Sequence, residues 1–340
     1  MIRFWPTDRL IYLRSHQELM EDILVVKNLK KYFVKKGLTG TDKETTRIAD
    51  GISFSIKNAE TFVLAGESGS GKTTIARMIL RALEPDSGTI IFDGQEITNQ
   101  EDHLKKIRLG CQMVHQDPYA SINPRMTVLD IVKEPLEIHR IGNKEERNRL
   151  ALHALSQVKL EPVDDIISKY PHMLSGGQRQ RVAIARAIVT NPKLVIADEP
   201  VSMLDVSVRI GILELIKELQ EKHGISFLYI THDLSTASYI GHVIAILYRG
   251  KIVETGPINE VLSSPRHPYT QALLDSISNP DPDNLHRDHK IRIKESSGIN
   301  EYQGCRFRAR CPYAIEKCKQ EPELEKISEK RQVACFVEIN

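Results

Sequence analysis

Apolar positions in this chain fall into short alternating or continuous runs that suit strands, separated by longer stretches with helical spacing. Residues 23–26 are aliphatic, and in 52–56 Ile52, Phe54 and Ile56 alternate with serines, so both runs predict strands. Between them, 35–47 is charged and glycine-containing and predicts a loop. Residues 61–65 predict a strand that runs straight into a Gly/Ser segment. A helix starting near Lys72 then carries Ile75, Met78 and Ile79 on one face. Residues 88–94 read as a strand ending in a turn, and 143–159 as a helix, with Leu150, Leu152, Leu155 and Val158 recurring among charges. Three strand–helix repeats come next, with strand cores at 194–197, 227–230 and 243–248. Strands alternating with helices predict an α/β fold, a parallel-rich sheet flanked by helices. Beyond His267 the pattern changes. Residues 278–283 are turn-rich and the chain becomes charged and cysteine-bearing, which places a boundary near residue 265.

Composition narrows the function classes. At 340 residues and 38.6 kDa, with 41% hydrophobic and 27% charged residues, the chain suits one large α/β domain with a smaller appendage. A formal charge of +2, spread evenly, gives no reason to expect a nucleic-acid partner. The best apolar run, 243–248, is far too short to span a bilayer, and no secretory h-region is present. The expectation is a cytoplasmic protein that reaches a membrane only through partners. Residues 1–22 differ in character from the rest of the chain and are expected to be a poorly ordered N-terminal extension, with Met20 rather than Met1 a plausible natural start.

The chemistry begins at Gly66-Glu67-Ser68-Gly69-Ser70-Gly71-Lys72-Thr73-Thr74, which fits the phosphate-loop template G-x-x-x-x-G-K-[ST] between a strand and a helix. In such a loop the glycines let successive N–H groups point at phosphate oxygens, and the helix N-terminus adds its positive dipole end. Lys72 is suited to the β- and γ-phosphates and the Thr73 hydroxyl to Mg²⁺. Four later sites point toward hydrolysis. An apolar strand ends in Asp198 and Glu199, a pair suited to holding the Mg²⁺ shell and to polarising an attacking water. Ser175-Gly176-Gly177-Gln178 opens a helix as a second anion nest, which two chains arranged head-to-tail would need and a single chain would not. Gln116 and His232 each come just after an apolar strand.

In this order the motifs resemble the nucleotide-binding subunit of an ATP-binding-cassette (ABC) transporter over roughly 23–265. The resemblance implies a P-loop ATPase core (23–265) with a helical subdomain, then a small cysteine-containing C-terminal region (266–340). It implies Gln116 at the Q-loop, near the γ-phosphate, its Mg²⁺ and the transmembrane subunit, and His232 as the switch histidine at the γ-phosphate. It also implies Asp205, in Ser202-Met203-Leu204-Asp205, reaching across a dimer, and Phe33 stacking on adenine. His115 stands where the group usually has an aromatic and Met203 where it usually has alanine; neither removes a catalytic group. The stretch from Gln116 to Val128 and the run His267-Pro268-Tyr269-Thr270-Gln271 resemble peptide-importer ATPases and their nickel and sugar relatives. The implied partners are two transmembrane permease subunits, a second ABC ATPase (identical or different) and, indirectly, an extracytoplasmic solute-binding protein. The implied place is the cytoplasmic face of the membrane. A soluble cassette ATPase of assembly or translation is the other reading. A repair-type ATPase is excluded, because no long heptad region separates Lys72 from Ser175.

Cys305, Cys311, Cys318 and Cys335 cluster in the tail, while Cys111 lies far away. In a reducing compartment, clustered thiols suit metal better than disulfides, although the spacing lacks the short C-x2-C of a zinc ribbon. Arg306, Arg308 and Arg310 between the first two cysteines suit the negative charge of a thiolate-bound cluster, and Pro312 stands after Cys311 as in ferredoxin-type ligation. A 4Fe–4S cluster, a zinc ion and reduced non-ligating thiols all remain open. The resemblance to peptide-importer ATPases implies the 4Fe–4S cluster.

Overall fold

The computed structural model describes residues 22–36, 43–276 and 302–338. The N-terminal extension up to residue 21 and the turn-rich 278–283 lie outside the described residues. The strands are β1 (Asp22–Lys36), β2 (Lys43–Lys57), β3 (Thr61–Ala65), β4 (Ser87–Phe92), β5 (Gln95–Glu96), β6 (Cys111–Val114), β7 (Leu194–Asp198), β8 (Ser226–Thr231), β9 (Val243–Tyr248), β10 (Lys251–Pro257), β11 (Glu325–Lys326) and β12 (Gln332–Val333). They form a sheet of order β2-β1-β4-β5 and a larger one of order β11-β12-β10-β9-β3-β8-β7-β6.

In the larger sheet β9, β3, β8, β7 and β6 are parallel, and β3, β7 and β8 are buried at every position. Burial on both faces explains why these strands read as continuous apolar runs rather than alternating ones. Successive residues still part to opposite faces. Val63, Val195 and Phe227 join a core with the helices Val128–Ile138, Lys144–Gln157, Gly176–Ile188 and Val206–His223. Phe62, Leu64, Ile196 and Leu228 join a second core with the helix Lys72–Ile79 and the inner face of the small sheet, including Ile23, Leu24, Ile52 and Ile56. The helices Val128–Ile138, Lys144–Gln157 and Gly176–Ile188 pack on one another as a helical layer. Their starts reflect capping: the side chains of Thr127 and Asn143 accept from the N–H groups of Asp130 and Glu146.

Of the loop expected at 35–47, the described residues 35–36 and 43–47 are strand. β1 and β2 form a long antiparallel hairpin, with Tyr32 opposite Arg47 and Val34 opposite Thr45. The polar composition suggested a loop, but backbone ladder bonds are independent of side chain, and an antiparallel hairpin carries polar residues on a solvated face. Among the described residues no helix is long and apolar enough to cross a membrane.

The tail continues the main sheet instead of standing apart. β12 pairs antiparallel with β10, Glu254 opposite Val333, and Phe307 and Cys311 enter the first core. Glu254 is fully buried, and its carboxylate accepts from Arg331 Nη2 at 2.6 Å and from the N–H groups of Arg266 and His267 at 3.0 Å each. A buried carboxylate left without its partner is costly. Arg331→Met should therefore lower the unfolding free energy by about 3 kcal/mol in chemical denaturation. Limited proteolysis should cut first within 302–338.

Candidate functional site

Four neighbouring parallel strands, β3, β8, β7 and β6, end at the same edge of the sheet, and each delivers a segment singled out in the sequence. β3 leads into the phosphate loop, β7 into Asp198 and Glu199, β8 into His232 and β6 into Gln116. The carboxyl edge of a parallel sheet is where ligands bind in open α/β folds.

The phosphate loop closes tightly on its surroundings. Gly71 has φ +112°, and a Cβ there would lie 2.3 Å from the Ile48 carbonyl oxygen; at Gly66 it would lie 2.2 Å from that of Leu247. Only glycine fits either place. No side chain caps the next helix, Lys72–Ile79, so its first-turn N–H groups are directed into the loop. Ser68, Gly69 and Thr74 fall within the same turn and first helical residues. The Ser70 hydroxyl is buried without a partner among the described residues. Lys72 Nζ donates to the carbonyls of Gly66 at 2.7 Å and Glu67 at 2.9 Å. Burial lowers its pKa, and the carboxylates of Glu199, Asp198 and Glu67 pull the other way. This cradle of glycines, an orphaned hydroxyl and a buried ammonium fits the phosphates of a nucleotide.

Thr73 Oγ1 donates to Asp198 Oδ2 at 2.8 Å, which brings a hydroxyl and a carboxylate together as oxygen donors suited to Mg²⁺. Burial, aided by the charge of Glu199, raises the Asp198 pKa; the Thr73 hydrogen bond and Lys72 oppose the shift. Glu199 has the left-handed φ of +46°, which costs an L residue about 1 kcal/mol. That conformation, with its N–H donating to the Ile230 carbonyl, directs the carboxylate between two neighbours. Gln116 Nε2 donates to Glu199 Oε2 at 3.0 Å, and His232 Nδ1 lies 2.9 Å from Glu199 Oε1. An ionised carboxylate only accepts, so this contact puts the His232 proton on Nδ1. Gln116 is engaged through Glu199, not through the Thr73–Asp198 pair. His115 is exposed, yet desolvation by the surrounding protein lowers its pKa.

Other expected site residues lie elsewhere. Ser175 caps the helix Gly176–Ile188: its hydroxyl accepts from the Gln178 N–H, and the Gln178 side chain accepts from the Ser175 N–H. Gly177 packs against Val208, at the start of the helix Val206–His223 whose N-cap is Asp205. Met203, Val206 and Ile210 are exposed around that N-cap. Phe33 is 47% exposed on the β1–β2 hairpin, with Lys31 Nζ 5.8 Å from its ring, so it is not a core aromatic. Neighbouring Tyr32 turns to Asp50 Oδ1 at 2.5 Å, and burial together with that carboxylate pushes its pKa up to about 12.

Cys305, Cys311, Cys318 and Cys335 line one small cavity of about 10 Å³ with His267 and Phe307. None forms a disulfide. Burial raises the pKa of Cys305 to about 11, and nearby cysteines add to it. Among the described residues no group of three or more His, Cys, Asp or Glu is gathered to hold a metal ion. Two of the three intervening arginines do not serve the thiols as expected: Arg306 pairs with Asp50, and Arg310 with Glu67. The run 267–271 is largely buried. His267 is buried and neutral, its pKa lowered to about 3, and its Nδ1 accepts from the Tyr269 N–H. Tyr269 is fully buried, and its hydroxyl accepts from the Glu67 N–H at 2.8 Å. Glu67 therefore belongs to the site, although it occupies a variable position of the loop template and carries no sequence signal.

A family model described as "ABC transporter" matches residues 49–202, and one described as "Oligopeptide/dipeptide transporter, C-terminal region" matches 253–318. The chain is 42% identical to the oligopeptide transport ATP-binding protein AppF of Bacillus subtilis, covering 93% of this chain and 98% of that protein. It is 39% identical to the probable peptide ABC transporter ATP-binding protein y4tS of Sinorhizobium fredii, over 94% and 91%. Among solved structures it resembles the dimeric post-hydrolysis state of the ATP-binding cassette MJ0796 bound to ADP and Pi, with TM-score 0.60 and 32% identity, covering 69% of this chain and 98% of that one. It also resembles cbiO1 of Clostridium perfringens, part of the transporter complex cbiONQ, with TM-score 0.63 and 29% identity, covering 72% and 92%.

Lys72→Met removes the one ammonium of the loop, and charge-assisted hydrogen bonds to phosphate go with it. Titration with a fluorescent ATP analogue should show affinity at least about tenfold weaker.

Proposed function

This chain belongs to the ATP-binding subunits of ABC transporters, and on that premise we propose that it is the ATP-hydrolysing motor of a peptide importer. The observation that carries this reading is the convergence of Gln116, Asp198, Glu199 and His232 on the phosphate loop, in a chain that matches AppF along 98% of that protein. ATP is the substrate, and Thr73 and Asp198, joined by Gln116 once it leaves Glu199, would hold a Mg²⁺ ion that neutralises charge at its phosphates. Glu199, held by Gln116 and His232, takes the proton of the attacking water. His232 senses the γ-phosphate, and Phe33 stacks on the base from the exposed hairpin.

Two cassettes act head-to-tail, and the helix N-terminus at 175–178 of one covers the nucleotide of the other. The exposed Met203, Val206 and Ile210 beside Asp205 suit burial in that contact. The partner cassette is a second copy or a related chain. A groove beside Gln116, lined by Leu80, Gln112, His115, Ile138, His139 and Arg186, accepts a helix of a permease subunit. The protein then works at the cytoplasmic face of the membrane, with peptide delivered to the permeases by an extracytoplasmic binding protein. Relatives named as peptide-transport subunits favour this over a soluble assembly ATPase.

For the tail we keep the 4Fe–4S cluster on the donor set alone: four cysteines line one cavity, and four thiolates are what such a cluster takes. Such a cluster, held by Cys305, Cys311, Cys318 and Cys335, would supply a cross-link for a short tail.

Glu199→Gln keeps the shape but not the base. ATP turnover should fall by about 10²–10⁴-fold while nucleotide still binds, and light scattering should show a persistent ATP-bound dimer. Near-normal turnover would refute the role of Glu199. Tagged protein drawn from native membranes in mild detergent should bring polytopic permease subunits and a second cassette; recovery of soluble partners alone would overturn the importer reading. Anaerobically purified protein should be brown and contain iron by elemental analysis.

A further inference from the structure

The tail touches the nucleotide site directly, through residues 305–311. This segment is a series of tight turns, in which Arg308, Arg310 and Cys311 donate their N–H groups to the carbonyls of Cys305, Phe307 and Arg308. Its middle is anchored by Phe307, which is buried against Tyr248, Tyr269 and His267 at ring separations of 5.3, 5.5 and 5.9 Å. Its two ends are thiols of the cavity.

From this anchored segment two arms reach the phosphate loop. Arg310 grips both oxygens of the Glu67 carboxylate, Nη1 to Oε2 and Nη2 to Oε1 at 3.0 Å each, while Tyr269 receives the Glu67 N–H. The Glu67 carbonyl in turn accepts from the Ser70 N–H at 3.2 Å and from Lys72 Nζ at 2.9 Å. Arg306 donates to Asp50 and to the Arg249 carbonyl. The adjoining Gly250 N–H donates to the Ser70 carbonyl at 2.9 Å. Both arms therefore end on the residues that orient Ser70 and Lys72.

We propose that Arg310 and Arg306 are positioning residues, making the turn at 305–311 a brace that holds the phosphate loop in its nucleotide-binding shape, so that occupancy of the four-thiol cavity is read out as nucleotide affinity. The second clause rests on the metal reading given above; the brace itself does not. A half-exposed ion pair alone contributes little. A bidentate fork fixed by a buried aromatic at one end and by a backbone hydrogen bond at the other is geometrically specific. Because coupling is reciprocal, a brace that tightens nucleotide binding must itself be tightened by nucleotide.

The test uses the full chain, purified anaerobically, with iron quantified for every variant. A fluorescent ATP analogue is titrated into wild type, Arg310→Met, Glu67→Gln and the double variant. Each single change should weaken binding at least about fivefold at unchanged iron content, and the double should be no weaker than either single. Glu67→Gln acts from the loop side and leaves the tail intact, so a folding defect in Arg310→Met does not decide the result. In wild type a non-hydrolysable ATP analogue should slow iron transfer to a chelator, and in Arg310→Met it should not. Wild-type affinity in both single variants would overturn the brace, and iron release indifferent to nucleotide in wild type would overturn the coupling. Weakened binding in a protein that carries no metal would support the brace and remove only the cluster.

Discussion

The structure depends on one constraint: β3, β8, β7 and β6 run parallel, side by side, and the first three are buried on both faces. Their apolar residues fix the strands in register, and the common direction sends every outgoing segment to the same edge. Residues separated by 33 to 125 positions meet there with no mutual attraction needed to assemble them. Thr73 reaches Asp198, and Gln116 and His232 reach Glu199, because the sheet has already placed their backbones.

Charge at that edge is arranged in opposition. Two carboxylates lie beside a buried ammonium, and burial works against the charged form of both Lys72 and Asp198. Each retains its character through the other and through hydrogen bonds: Lys72 from loop carbonyls, Asp198 from Thr73. Glu199 is held differently, by a left-handed backbone and two side-chain neighbours, so it is aimed without being locked into the metal-binding pair. Strain at one residue is tolerated because the strands on either side over-determine its position.

The tail shows the same economy. It is too short for a core of its own, and it borrows one: β12 extends the main sheet, Phe307 enters an aromatic group of the domain, and Glu254 joins Arg331 to the chain before His267. A boundary near 265 matches the change in composition but not the packing, which runs across it.

What was legible in the sequence was local. The phosphate loop is set by glycine geometry and one lysine at fixed spacing, the buried strands by apolar runs, and two helix starts by Asn143 and Ser175, because each rests on contacts within a few residues. Residues 35–36 and 43–47 have the composition of a loop yet pair as strand, because ladder pairing uses backbone groups that composition does not report. The arginines of the tail were assigned to the thiols because sequence shows neighbours along the chain and not across it. Only the tertiary structure could direct Arg310 to Glu67 and Tyr269 beneath the phosphate loop. Those contacts join residues about two hundred positions apart, and their partners are chosen by how the sheet and tail pack, a long-range geometry that no spacing along the chain encodes.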